Sequence, residues 1–167
     1  MTGAEKGTAV HTFLQFADFD QCRTDLAAEV KRMVDKQFIT PMQGEALRMD
    51  KLEAFFRSPV CDLILGAQHA YREYKFMYEI PAKELYEDAA GEETILVQGI
   101  ADCVVENTDG IVIVDYKTDQ VSSPEILIQR YAPQLSLYRR AISQQFQKPV
   151  ERCVIYSVEL EQEIEVL

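Results

Sequence analysis

The sequence predicts an α/β domain in which a mixed sheet is flanked by helices, with a helical N-terminal part. Two observations support this prediction. Residues 7–57 carry apolar side chains at helical spacing, and residues 95–119 form two apolar runs joined by a turn-forming Asn-Thr-Asp-Gly. The second run, Ile111 to Val114, is apolar on both faces, which is typical of a central strand covered on both sides.

Composition limits the class of protein. A chain of 167 residues that is 47% hydrophobic suits one globular domain with a sizeable core, and no run approaches the ~18–20 apolar residues of a membrane span. The net charge of −11 has the wrong sign for a freestanding nucleic-acid binder and by itself favours a protein-interaction module. The four cysteines include no CxxC pair, which argues against a zinc site and favours reduced thiols in the cytoplasm.

The N-terminal part is predicted to contain three helices. The first begins near Gly7, and its spacing places His11 beside the apolar stripe, where a half-buried histidine is the ordinary role. The second follows Asp20. The third runs from about Gln43 to Arg57 and is ended by Ser58-Pro59.

A half-exposed strand is predicted next, from Tyr71 to Ile80, because apolar and polar residues alternate there. His69 at its entry is interpreted as a surface residue, and the role of Glu73 is left open. The acidic stretch near Glu84–Glu93 is expected to be an unstructured loop.

The turn at residues 107–110 decides which residues of the hairpin face each other. With a four-residue loop, Asp102 lies opposite Asp115, with β-carbons roughly 4.5–5.5 Å apart. Two carboxylates at this short distance repel each other, and a divalent cation between them relieves the repulsion. A two-residue turn at residues 109–110 instead sets Asp102 opposite Lys117, which is a plain salt bridge. The hairpin alone leaves both registers open.

A long helix follows the hairpin and places Gln134 and Tyr138 one turn apart. Their ordinary roles are a solvated glutamine and a core tyrosine. Arg130, Arg139 and Arg140 lie on the same helix and form either a basic path toward the site or a solvated outer face. A last strand covers Arg152–Val158, and the acidic tail Glu159–Glu165 is expected to be solvated.

The order of the motifs resembles one family. In chain order they are GxxxH at residues 7–11, GIAD at residues 99–102, DYK at residues 115–117 and QxxxY at residues 134–138. The stretches GTAVHTFLQ, REYKF, LVQGIADCVVENTDGIVIVDYKTD and YAPQLSLYRRAI resemble the RecB-like branch of the PD-(D/E)XK nucleases. Within that branch they are most similar to the C-terminal nuclease domain of the AddA subunit of bacterial AddAB helicase–nucleases.

The resemblance implies a restriction-endonuclease-like fold and metal-dependent hydrolysis of DNA. The metal ligands it implies are the side chains of His11, Asp102 and Asp115 and the backbone carbonyl of Tyr116. The catalytic residues it implies are Asp102, Asp115 and Lys117, with support from Gln134 and Tyr138. Glu73 matches an Arg-Glu motif whose usual following proline is Lys75 here, so no role is assigned to it.

The cofactor implied by the resemblance is Mg²⁺ or Mn²⁺. The partner subunit's nuclease domain in this family carries iron–sulfur cysteines whose spacing is missing here, so no iron–sulfur cluster is expected. The implied substrate is DNA, single-stranded and delivered by a helicase during double-strand-break end processing and recombinational repair. Residues 1–167 are expected to be a single nuclease domain from the C-terminal end of a larger, cytoplasmic bacterial helicase–nuclease chain.

The implied partners are the helicase body of the same chain and a second helicase–nuclease subunit, with no membrane. The implied enzyme class is the exonuclease of an ATP-dependent helicase–nuclease. Two other functions compete with this one: a standalone repair or restriction nuclease of the same fold, and a non-catalytic acidic interaction module on a degenerate nuclease fold.

Overall fold

The computed structural model describes residues 1–84, 86 and 91–167. Five helices come first: α1 (Gly3–Phe16), α2 (Phe19–Asp35), α3 (Pro41–Ala46), α4 (Met49–Phe56) and α5 (Pro59–Leu65). A sixth helix, α6 (Pro124–Phe146), separates the third strand from the fourth. Much of the acidic loop expected near Glu84–Glu93 lies outside the described residues.

The five strands form one mixed sheet in the order of the chain. They are β1 (His69–Pro81), β2 (Thr94–Glu106), β3 (Ile111–Lys117), β4 (Val150–Ser157) and β5 (Gln162–Glu165). Neighbouring strands are antiparallel except β3 and β4, which are parallel because α6 carries the chain back across one face of the sheet. The predicted fold class is confirmed.

Helices cover both faces of the sheet. On one face, α1, α2, α4 and α5 pack in an apolar cluster that includes Val105, Val112 and Tyr156 of the strands. On the other face, α6 packs in a second cluster with Ile113 and Ile155. Since β3 is apolar on both faces, burial on two sides fixes it in the middle of the sheet and holds its C-terminal residues in place.

The turn between β2 and β3 is the four-residue loop. Glu106 pairs with Ile111 and Cys103 with Val114, and the backbone N–H of Asn107 donates to the carbonyl of Gly110 at 3.0 Å. This register places Asp102 opposite Asp115, as the longer loop predicts. The alternative with Asp102 opposite Lys117 is wrong.

The third predicted helix is in fact two helices. The helical pattern from Gln43 to Arg57 is interrupted at Leu47, which adopts an extended conformation and turns its side chain into the core. Ser58 does end α4, but it also accepts a hydrogen bond from the backbone N–H of Cys61 as the N-cap of α5, with Pro59 in the first turn.

The acidic tail also differs from expectation. Residues 162–165 pair antiparallel with β4 as an edge strand, and Ile164 is buried against the α6 face. The single apolar side chain among acidic neighbours anchors this strand, and its glutamates remain exposed.

None of the helices in the part of the chain that the structure describes is long and apolar enough to span a bilayer.

Candidate active site

A close helix–loop contact places His11 in the site. A Cβ on Gly7 would lie 2.8 Å from Thr118 Oγ1, in the segment that follows β3, so only glycine allows α1 to approach this closely. His11 follows one turn later on the same face of α1. Its Nδ1 lies 3.3 Å from Asp102 Oδ1, which explains the spacing of the GxxxH motif.

Asp102 links the helix to the two central strands. Its Oδ2 accepts a hydrogen bond from the backbone N–H of Tyr116 at 2.7 Å, just beyond the last ladder pair of β2 and β3. Its side chain is 12% exposed, so it is nearly removed from water but remains reachable. Burial alone would lower the pKa of His11, yet the hydrogen bond and charge of Asp102, together with Asp115, raise it above its usual value.

Asp115 and Lys117 lie on the same face at the end of β3, as period-two alternation predicts. Lys117 Nζ is 2.7 Å from Asp115 Oδ2. That oxygen is buried and makes no hydrogen bond of acceptable geometry with any described residue. Burial and the charge of Asp102 raise the pKa of Asp115 to about 6, although Lys117 opposes the shift. Lys117 is thus the close charged partner of this buried oxygen.

Glu73 is a third carboxylate beside Asp102. The pairs Arg72–Cys103 and Tyr74–Ala101 on either side of it place Glu73 opposite Asp102 across β1 and β2. Its backbone is in the left-handed region, with φ of 53°, which costs a residue with a side chain about 1–3 kcal/mol. Burial and the charge of Asp102 raise the pKa of Glu73. Acidic residues thus occupy adjacent positions on three neighbouring strands.

A group of potential metal ligands results from this arrangement. Among the described residues, ligand atoms of His11, Glu73 and Asp102 all lie within 4.8 Å of one another. A surface cleft beside α1 is lined by His11, Glu73 and Thr118, so the group is open to solvent on that side. Glu73 was left without a role because Lys75 replaces the proline that usually follows the Arg-Glu motif. Its position opposite Asp102 depends on the register of β1 on β2, which no turn signature in the sequence predicts.

Arg72, to which the sequence assigned no role, binds the end of α1 next to this group of residues. Its guanidinium donates to the carbonyl of Ala17 at 2.6 Å and, at 3.4 Å each, to the carbonyls of Leu14 and Gln15, at the end of α1. It also lies 4.0 Å from the centroid of the Phe19 ring. A cation is favoured at a helix C-terminus, so Arg72 holds α1, and with it His11, against β1.

Gln134 and Tyr138 are brought together on α6. Gln134 Nε2 donates to the hydroxyl of Tyr138 at 3.0 Å. The Tyr138 ring meets Phe76 edge to face, with centroids 4.8 Å apart. A Cβ on Gly99 would clash with the Phe76 ring, so the glycine of the GIAD motif makes room for this aromatic pair. The pair connects β1, which carries Phe76, to the helix that covers the site.

The basic residues near the site are mostly neutralised. Arg130 pairs with Asp119, Arg140 Nη2 lies 2.6 Å from Glu84 Oε2, and Lys148 Nζ lies 2.6 Å from Glu106 Oε1. These pairs favour the interpretation of the arginines as a solvated outer face over a continuous basic path.

This mixed sheet, with helices on both faces, is the fold of a restriction-endonuclease-like nuclease domain. Residues 2–165 match the family model described as the PD-(D/E)XK nuclease superfamily, and the chain belongs to that superfamily.

Three relatives carry names that describe them as subunits of an ATP-dependent helicase/nuclease. The chain is 38% identical to the protein from Bacillus cytotoxicus and 39% identical to that from Acetivibrio thermocellus, in each case over 93% of this chain. The protein from Bacillus cereus is 38% identical, also over 93% of this chain. The chain spans only 14%, 13% and 14% of the length of these relatives, respectively.

Proposed function

We propose that this domain is a metal-dependent deoxyribonuclease that hydrolyses phosphodiester bonds of single-stranded DNA. The single observation that carries the proposal is the position of Asp102. Its two oxygens face His11 on one side and the Tyr116 backbone on the other, between Glu73 and Asp115 on the neighbouring strands. Asp102 therefore has one imidazole neighbour, His11, and two acidic neighbours.

The donor set fits a divalent cation. Carboxylate oxygens are the ligands that Mg²⁺ prefers, and an added imidazole also suits Mn²⁺. The proposed ligands are His11, Asp102, Asp115 and the Tyr116 carbonyl. Glu73 is a further candidate because its carboxylate lies within reach of the first two. The buried Asp115 carboxylate also supports the fit, because burial and the charge of Asp102 disfavour its ionised form and a bound cation would offset both effects.

A bound ion would supply Lewis-acid stabilisation of the charge that develops on the phosphodiester. Lys117 would supply the second positive charge. Burial lowers its pKa, but Asp115 and Asp102 raise it by more, so Lys117 is an ammonium ion at neutral pH in the metal-free protein. We therefore assign to Lys117 the stabilisation of charge and the orientation of the attacking water.

Gln134 and Tyr138 are proposed to position the substrate backbone or Lys117 from α6. Their mutual hydrogen bond fixes both side chains, and the edge-to-face contact of Tyr138 with Phe76 locks its ring. Preorganised donors of this kind avoid the cost of reorientation during reaction.

The substrate is proposed to be delivered by a helicase, in the setting of double-strand-break end processing and recombinational repair. The names of the relatives, which describe parts of an ATP-dependent helicase/nuclease, support this setting. The net charge of −11 supports it independently, because an acidic chain gains little of the phosphate affinity on which unaided DNA binding depends. The proposed partners are a helicase body in the same longer chain and a second helicase–nuclease subunit.

Asp102→Asn tests the proposal, with Lys117→Ala as a second variant. Asn keeps the size of the side chain and removes its charge, so cleavage of single-stranded DNA in Mn²⁺ should fall by about 100-fold or more. Asp109→Asn is the matched control, because Asp109 is an exposed aspartate in the loop of the same hairpin. Normal cleavage by a folded Asp102→Asn protein would contradict the proposed function.

A further inference from the structure

Lys117 has a neighbour that the motifs do not include. Its Nζ lies 4.0 Å from the centroid of the Tyr131 ring, on α6. Tyr131 comes one turn before Leu135 and three residues before Gln134, so it belongs to the same helix face. It begins the stretch YAPQLSLYRRAI but lies outside the QxxxY motif, and no role was assigned to it. A cation over an aromatic face is attracted by the ring quadrupole, more strongly where water is excluded.

The ring is itself fixed in place. The Tyr131 hydroxyl donates toward the carboxylate of Asp119, with distances of 2.9 and 3.0 Å to the two oxygens. Asp119 in turn pairs with Arg130. Because Asp119 lies two residues after Lys117, the loop after β3 and helix α6 are joined at this point.

The ammonium group is thus held from two sides. Asp115 Oδ2 lies 2.7 Å away on one side and the Tyr131 ring lies on the other, and the Lys117 side chain is only 15% exposed. A lysine side chain has four rotatable bonds, and two fixed neighbours greatly restrict the positions of its terminal nitrogen. An ammonium group has three N–H donors, so with Asp115 on one of them and the ring face as the second neighbour, a donor remains for an anionic substrate.

We propose that Tyr131, anchored by Asp119, is a positioning residue that holds the Lys117 ammonium group toward the substrate phosphate. The proposal rests on the nuclease function proposed for this site. It adds a residue that touches neither metal ligands nor reacting atoms and acts only through Lys117. The ring, rather than the hydroxyl, makes the contact with the cation, and the hydroxyl fixes the ring.

Paired substitutions separate these two parts. Tyr131→Leu removes the ring and should lower kcat by about 10-fold, with the KM for single-stranded DNA changed less than about threefold. Tyr131→Phe keeps the ring but loses the hydroxyl that anchors it, so it should recover only part of the loss. Asp119→Ala leaves the ring but frees it, and should give an intermediate kcat. Tyr78→Leu is the matched control, since Tyr78 packs on the same apolar cluster and lies near Arg140 instead of Lys117.

A spectroscopic readout makes the test independent of cleavage. In the metal-free protein, the ring current of Tyr131 should shift the ε-methylene protons of Lys117 upfield, relative to the other lysines, in carbon–proton correlation spectra. The shift should persist in Tyr131→Phe and vanish in Tyr131→Leu. Lys117→Ala identifies the resonance.

Two results would overturn the inference: an unchanged lysine shift in folded Tyr131→Leu, or wild-type kcat in that variant while Lys117→Ala is inactive. If Lys117→Ala itself cleaves normally, the proposed catalytic role of Lys117 fails. That failure is distinguishable from a failure of the Tyr131 contact, because the lysine chemical shift in the protein with Lys117 still reports the contact with the ring.

Discussion

His11 Nδ1 lies 3.3 Å from Asp102 Oδ1, so a helix from the N-terminal part and a strand from the middle of the chain meet at one carboxylate. The contact depends on Gly7, which brings α1 onto the segment after β3, and on Arg72, which binds the end of the same helix. His11 could have this position either as a structural residue of the helix or as a metal ligand. The two roles predict different effects of mutation.

His11→Ala should raise the Mn²⁺ concentration needed for half-maximal cleavage, because it removes one ligand and leaves the carboxylates. A metal titration of cleavage, beside a thermal melt, measures the effect. His69→Ala is the matched control, since His69 is the other histidine of the chain and is exposed. A lower melting temperature with an unchanged metal requirement would assign His11 to the core instead.

Mutation of Glu73 should separate the metal binding of its carboxylate from the strain of its left-handed backbone. Glu73→Gln and Glu73→Gly both remove the carboxylate and should both raise the metal requirement. Glycine adopts φ of 53° without strain, so Glu73→Gly should be about 1 kcal/mol more stable than Glu73→Gln in the absence of metal. Chemical denaturation of the two variants measures the difference. Equal stability would show that the left-handed backbone carries no strain, and an unchanged metal requirement would exclude Glu73 as a ligand.

Metal should stabilise the fold in a pH-dependent way. The pKa of Asp115 is raised to about 6, so the folded protein holds a proton there that the unfolded chain, with an ordinary pKa of 3.8, has released. The stability that this proton contributes is fully present below pH 3.8 and is lost as the pH rises through 6. The raised pKa of His11 acts in the same direction.

A cation competes with these protons, so its effect has the opposite sign. The rise in melting temperature caused by Mn²⁺ should be small at pH 5 and reach full size above about pH 7. At ~100 times its dissociation constant, the ion should stabilise the fold by about 2.7 kcal/mol. Melting curves with EDTA and with Mn²⁺ at several pH values test this, and a shift independent of pH would contradict it.

The hairpin sequence limited the site to two registers but did not choose between them. The strand pairing of the structure selects the four-residue loop, and that register places Asp102 opposite Asp115. Local periodicity predicts that Asp115 and Lys117 share a face, and their ion pair confirms it.

Contacts that join distant parts of the chain were not predictable in the same way. Arg72 binds carbonyls more than 50 residues away, and a carbonyl has no sequence signature. Glu73 reaches Asp102 only through the register of β1 on β2. Burial of the Leu47 side chain interrupts an otherwise continuous helical pattern. Burial of the Ile164 side chain likewise forms an edge strand in an otherwise acidic segment.

Delivery by a motor should matter more than intrinsic affinity. The isolated domain should bind single-stranded DNA weakly at physiological salt and cleave it slowly. The full helicase–nuclease assembly with ATP should cleave the same strand on the order of 100-fold faster, through effective concentration. An assembly whose motor cannot hydrolyse ATP is the control. Equally fast cleavage by the isolated domain would refute delivery and favour an autonomous nuclease.

The most direct test of the proposed metal site is an anomalous-scattering map from a crystal soaked in Mn²⁺. A metal site at these residues predicts a manganese peak in contact with Asp102 and with at least two of His11, Glu73 and Asp115. The same crystal of Asp102→Asn should lose the peak. A correctly folded wild-type crystal without manganese at Asp102, at a concentration that supports cleavage in solution, would contradict the central claim that these carboxylates form the catalytic metal site.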